Sequence, residues 1–156
     1  MGPAGAGKTT IGHALAGALG WRFVDADDLH KPAAVAKMRA GSPLTDTERA
    51  PWLAALHELV SATLGRRDHL VLACSALKDR YRAVLRGDLR SLRFVYLKAD
   101  EQTLRHRLAD RSGHFAGPGL LASQLADLEE PADALTVDAT APPERIVAIV
   151  RREFGL

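Results

Sequence analysis

Short apolar runs alternate along this chain with longer segments whose apolar residues recur at helical spacing. The runs Trp21–Asp25, His69–Ser75, Leu92–Leu97 and Leu135–Asp138 have the length and residue types of strands. Helical patterns fill the intervals. Thr9–Leu19 is rich in Ala and Leu and stops at Gly20; Pro32–Arg39 is short and closes at Gly41. Asp46–Leu64 places Leu53, Leu56, Leu59, Val60 and Thr63 on one face, with Thr45 and Glu48 spaced as a capping box. Leu77–Leu85, Asp100–Arg111, Leu120–Leu128 and Pro143–Phe154 complete the set, with Asp100 suited to an N-cap and Pro143 to a first turn. Strands alternating with helices predict a layered α/β domain with a mostly parallel sheet. At 156 residues the chain is read as one domain, 1–156.

Composition narrows the class. Hydrophobic residues make up 47% and charged residues 26%, ordinary for a globular protein, and a formal charge of +2 gives no reason to expect nucleic acid or a membrane as partner. No apolar stretch approaches the roughly 20 residues of a membrane span. Cys74 is the only cysteine, so no internal disulfide exists and a reducing cytoplasm is the simplest expectation.

The sharpest motif is Gly2-Pro3-Ala4-Gly5-Ala6-Gly7-Lys8-Thr9, which satisfies G-x-x-x-x-G-K-[ST] at every fixed position. Glycines bring backbone N–H groups onto phosphate oxygens, and the helix that follows presents its positive end. Lys8 has the length and charge to reach β and γ phosphates, and the Thr9 hydroxyl is a Mg²⁺ ligand. The expected nucleotide site is therefore Gly2, Ala4, Gly5, Ala6, Gly7, Lys8, Thr9 and Thr10, with ATP and Mg²⁺ as the implied cofactors. The fold expects a buried strand directly ahead of this loop, yet only Met1 precedes Gly2. That predicts a coding frame continuing upstream by one short strand, about 5–10 residues.

Asp25, Asp27 and Asp28 follow a short apolar run, at the sheet edge where α/β proteins bind ligands. Asp25 is assigned to the metal's surroundings and Asp27 to orienting an acceptor hydroxyl; Asp28 suits a cap of the next helix. No separate acid ends the run His69–Ser75, which closes with Ala73-Cys74-Ser75, so that role points back to Asp25. Cys74 is read as a small buried residue, and Trp21 and Trp52 as packing residues.

Longer blocks are more discriminating. Asp25-Ala-Asp-Asp-Leu-His30, Lys37-Met38, Gly41-Ser-Pro-Leu44, Arg49-Ala-Pro-Trp52-Leu53 and Cys74-Ser-Ala-Leu-Lys78 stand in order, followed by Tyr81-Arg82, Tyr96-Leu97-Lys98, Gly113-His114-Phe115, Ser123-Gln124 and Leu128-Glu129-Glu130-Pro131. Nearly the whole chain thus resembles the gluconate kinases. The resemblance implies ATP-dependent conversion of D-gluconate to 6-phosphogluconate, a nucleoside-monophosphate-kinase-like fold and a homodimer. It also implies a substrate segment at about 26–64, with His30, Lys37, Arg49, Lys78, Arg82 and His114 as candidate substrate contacts beside Asp27. A sugar acid needs cations for its carboxylate and polar groups for its hydroxyls. Lys78 and Arg82, one helical turn apart, are placed to converge on one anion.

Arg107 and Arg111 lie four residues apart ahead of a Gly/Pro-containing segment at about 112–119 that looks like the lid of these kinases. With Lys8 and Asp27 they form the expected catalytic set, supplying positive charge to the transferred phosphoryl group. Ala116-Gly117-Pro118 departs from the bulkier apolar residues that follow His-Phe in the family. Two other readings stay open. A shikimate-kinase-like enzyme shares the loop, acids and lid but has a Gly-Gly-Gly run where Ser75-Ala76-Leu77 stands, and a non-catalytic nucleotide-binding module would fit an absent first strand.

Overall fold

The fold is given by a computed structural model that describes residues 1–110 and 118–156. After the glycine-rich loop, α1 (Lys8–Leu19) ends where the Gly20 N–H turns back to the Ala16 and Gly17 carbonyls. Strand β1 (Arg22–Asp25) runs into a short 3₁₀ turn (Ala26–Leu29), then α2 (Pro32–Arg39) and the long α3 (Asp46–Gly65). Next come β2 (Leu70–Ala73), α4 (Asp79–Arg86), β3 (Val95–Lys98), α5 (Glu101–Ala109), α6 (Pro118–Asp127), β4 (Leu135–Asp138) and α7 (Pro143–Phe154). The predicted caps form. Thr45 and Glu48 make a reciprocal capping box on α3, and Asp100 accepts from the Thr103 N–H at the start of α5.

Elements differ from expectation mainly at their ends. The strand expected at Leu92–Leu97 is β3, three residues later, because Leu89 and Leu92 N–H groups close turns onto Arg86 and Leu89 carbonyls. The helix expected from Leu77 begins at Asp79, since the Leu77 carbonyl accepts from Arg82 Nη1 and the Glu129 N–H instead.

Each strand pair is parallel: β1 with β2, pairing Asp25 with Ala73, and β3 with β4, pairing Lys98 with Asp138. Met1 and Gly2 link β3 to the residues just after β2. The Met1 amino group donates to the Val95 carbonyl, its carbonyl accepts from Leu97 N–H, and the next N–H, of Gly2, donates to Ser75. A cavity of about 470 Å³ opens beside Met1, lined by Lys8, Val71, Leu72, Leu97, Val150 and Phe154 among others.

Two apolar clusters hold the layers together. Ile11, Leu15, Leu97, Leu104, Leu121, Val137, Ile146 and Val150 join α1, α5, α6 and α7 to β3 and β4. Trp52, Leu53, Leu56, Cys74, Tyr81, Leu85 and Phe94 join α3 and α4 to the other side. Burial on this scale, at about 25 cal/mol per Å² of apolar area, is what opposes the chain entropy. No helix among the described residues is long and apolar enough to cross a membrane.

Candidate functional site

The loop starts where β2 and β3 end, and two contacts fix its path. Gly2 has φ 143° and a Cβ there would lie 2.9 Å from the Leu97 carbonyl oxygen. Gly5 has φ 82° and a Cβ there would lie 2.9 Å from the Leu104 carbonyl oxygen on α5. Both positions therefore need glycine for conformation and for space. Gly7 is the N-cap of α1 and offers no side chain to cap the first turn, where the helix presents its positive end. Pro3 and Ala6 are buried, whereas Thr10 is exposed in the first turn. Lys8 Nζ donates to the Pro3 carbonyl at 3.0 Å, which lays its stem across the loop it serves.

Beside the loop, Thr9 Oγ1 donates to Asp25 Oδ2 at 2.8 Å, and Asp25 Oδ1 accepts from the Asp27 N–H at 3.1 Å. Register explains the meeting: Asp25 is the last residue of β1 and points its carboxylate at the start of α1, while capping the 3₁₀ turn that carries Asp27. Asp27 is largely exposed, 3.9 Å from His30 Nε2. The His30 ring is nearly fully buried and stacks on Trp52 at 4.3 Å. Burial pulls its pKa below the ordinary histidine value, Asp27 opposing that shift and Arg49 adding to it. Trp52 Nε1 donates to the Ala26 carbonyl at 2.8 Å, so one buried indole holds both the turn and the imidazole.

Farther from the loop, cations gather around one ring. Arg49, Lys78 and Arg80 lie 5.8, 5.6 and 5.6 Å from the Tyr81 centroid. The Tyr81 hydroxyl donates to Asp46, which also pairs with Arg80, and Lys78 sits 3.0 Å from Asp127 and 3.6 Å from Asp46. Arg49 Nε donates to the Leu44 carbonyl. This surface is positively lined yet internally paired, suited to exchanging an intramolecular carboxylate for one from a ligand.

The structure thus brings together Thr9, Asp25 and Asp27 at the loop, with His30, Arg49 and Lys78 continuing outward. Lys37 instead forms a 2.8 Å ion pair with Glu48, whose carboxyl is held down to about 2 by hydrogen bonds from Lys37 and Thr45. Lys78 and Arg82 do not converge. Arg82 is only 3% exposed, and its guanidinium donates to the Ala76 and Leu77 carbonyls at 3.0 and 2.9 Å and to Asp79 at 3.3 Å. Ala76 has φ 46°, so the buried arginine braces a strained turn. Arg107 stands at the opposite end of the edge, donating to the Ala139 carbonyl after β4 at 2.9 Å. Arg111, His114 and residues 112–117 of the expected lid lie outside the described residues. Burial pushes the Cys74 thiol up to about 11, which makes it inert as a nucleophile.

Sequence reasoning missed Asp46 and Tyr81 as organisers of the cationic cluster, and Gln124, whose Oε1 accepts from the Ala4 N–H at 2.6 Å. Gln124 stood in one of the discriminating blocks, but a partner 120 residues away leaves no local spacing to read.

The donor set suits a hard cation: Thr9 Oγ1 and the Asp25 carboxylate offer two kinds of oxygen beside the loop, the sparse protein ligation Mg²⁺ takes when phosphates and waters fill its other positions. Among the described residues no cluster of three or more His, Cys, Asp or Glu side chains forms an all-protein metal cage.

Comparison with known proteins agrees. The AAA domain family model matches residues 1–131. The gluconokinase of Gluconobacter oxydans (strain 621H) is 44% identical over 157 residues, covering 99% of this chain and 88% of that protein. An unliganded sugar kinase from Janibacter sp. HTCC2649 superimposes with TM-score 0.91 at 40% identity, over 97% of this chain and 90% of that one. A gluconokinase from Sinorhizobium meliloti 1021 gives TM-score 0.88 at 40% identity, over 99% and 89%.

Proposed function

The chain belongs to the gluconokinase family of P-loop kinases, and we propose that it transfers the γ-phosphoryl group of ATP to D-gluconate, giving 6-phospho-D-gluconate. The observation that carries the chemistry is the chain of contacts from Thr9 through Asp25 to the Asp27 backbone, immediately beside the phosphate loop. In this reading the amides of Gly5–Thr10 and the Lys8 ammonium hold the triphosphate. Thr9 and Asp25 hold Mg²⁺, which when bound neutralises charge on the phosphate oxygens. Asp27, exposed at the edge, takes the acceptor hydroxyl and its proton.

The acceptor lies over residues 26–64. Its carboxylate meets the Arg49 and Lys78 side, while His30 and Trp52 form the floor beside Asp27. Arg107 approaches from the β4 end and places positive charge on the nucleotide side. Such a site works by alignment and preorganised charge more than by covalent chemistry. The family resemblance also supports a cytoplasmic homodimer, which sedimentation of the purified protein checks.

A coupled ADP-release assay across sugar acids tests the reading. Turnover with gluconate well above that with other aldonic acids, or with shikimate, supports it. ADP release with a different acid and none with gluconate would overturn the substrate assignment.

A further inference from the structure

Helix α6 touches both halves of the site, through residues one turn apart. Gln124 accepts from the Ala4 N–H inside the phosphate loop at 2.6 Å. Asp127 pairs with Lys78 at 3.0 Å, and Lys78 reaches Asp46, the first residue of α3, at 3.6 Å. Just beyond the helix the Glu129 N–H donates to the Leu77 carbonyl and its carboxylate accepts from the Asp79 N–H. Leu121, with no exposed surface, seats the same helix in the core together with Leu104 of α5, the residue whose carbonyl lies against Gly5. A short, well-seated helix is rigid over three residues, so a shift at one end is transmitted to the other.

The chemistry of the contact suits a nucleotide cradle. Gln124 fixes the Ala4 amide with a neutral acceptor; a carboxylate in its place would set a negative charge beside the triphosphate. We propose that Gln124 is a positioning residue, and that α6 couples the nucleotide and acceptor sites through Gln124 on one side and Asp127, Lys78 and Asp46 on the other. Binding of one substrate then strengthens binding of the other. This rests on the kinase reading above, because the acceptor is taken to lie against α3 and α4.

Calorimetric titration of the full chain with a non-hydrolysable ATP analogue, with and without saturating gluconate, measures the coupling. Gluconate is expected to tighten analogue binding at least fivefold in the unaltered protein, within the usual range for coupled sites. Gln124→Met keeps the side chain's shape and removes its acceptor. It should weaken analogue binding about fivefold, the loss expected for one neutral hydrogen bond, and bring the coupling towards unity. Asp127→Asn, altering a partly exposed pair and leaving the loop untouched, should reduce the coupling without changing analogue binding in the absence of gluconate. The double variant should lose no more coupling than Gln124→Met alone. Independent, additive losses would overturn the proposal, as would unaltered coupling in either single variant. Turnover of gluconate with a coupling of one in the unaltered protein would sink this inference while leaving the kinase reading intact; absence of gluconate turnover would sink the reading itself.

Discussion

Thr9 Oγ1 and Asp25 Oδ2 lie 2.8 Å apart, joining the first turn of α1 to the last residue of β1. The carboxylate is held from its other oxygen by the Asp27 amide, so its orientation is set before any ligand arrives. Preorganisation of this kind is where enzymes of this class gain most of their rate.

Asp25→Asn keeps the size of the side chain and the acceptor facing the Asp27 amide while removing the charge. We expect kcat to fall about 10²- to 10³-fold, the loss usual for one preorganised electrostatic group, with an unchanged thermal midpoint. The Mg²⁺ concentration giving half-maximal rate should rise in the same variant. Loss of rate with an unaltered Mg²⁺ requirement would remove Asp25 from the metal's surroundings.

Arg82 poses a sharper choice, since it was expected in the substrate pocket and is found beneath the 76–79 turn. Arg82→Met would strand the buried Ala76 carbonyl and leave the Leu77 carbonyl with the Glu129 N–H as its remaining donor. The expected loss is about 3 kcal/mol of stability, roughly 10 °C in Tm for a domain of this size. The gluconate KM of the folded fraction should stay within about twofold, less than one lost hydrogen bond would change it. A tenfold rise in KM with an unchanged Tm would return Arg82 to the pocket.

These two residues show what was legible in the sequence. The loop motif, Thr9 and Asp25 were readable because their geometry is local: a glycine pattern followed by a helix, and an acid closing an apolar run. The capping box of α3 was readable for the same reason. Arg82 was not, because its spacing from Lys78 is the same whether the guanidinium faces a ligand or turns under its own helix. What decides is the left-handed turn at Ala76, whose carbonyl needs a donor, and nothing in the residue types announces that turn. Tyr81 as the hub of Arg49, Lys78 and Arg80, and Gln124 against Ala4, depend on helices packed from distant parts of the chain, where spacing carries no signal.

Gly5 tests the loop itself. Alanine there combines the left-handed penalty of about 1–2 kcal/mol with a methyl group 2.9 Å from the Leu104 carbonyl oxygen. Gly5→Ala should therefore lower the thermal midpoint and raise the KM for ATP, because relief requires the loop to move away from α5. Differential scanning fluorimetry with and without ATP checks both effects. A Tm unchanged within error would mean that the loop does not approach α5 this closely.

His30 predicts a pH dependence. Its folded-state pKa is lowered, chiefly by burial against Trp52, so the fold favours the neutral imidazole. For a base with a depressed folded pKa, the unfolded chain binds the extra proton first. Its contribution to stability is therefore complete above the unfolded value near 6.5 and is lost as the pH falls from there towards the folded value. The charged groups facing the ring are Asp27, which moderates the shift, and Arg49, which deepens it. His30→Phe keeps an aromatic ring on Trp52 and cannot titrate. Urea midpoints measured at pH 7.5 and 5.5 should drop for the unaltered protein by more than for His30→Phe, the difference between the two isolating this histidine from the others in the chain. Equal drops would show that His30 is not the group that the fold holds neutral. Asp27→Asn removes the moderating charge, so the corresponding drop should become larger than in the unaltered protein.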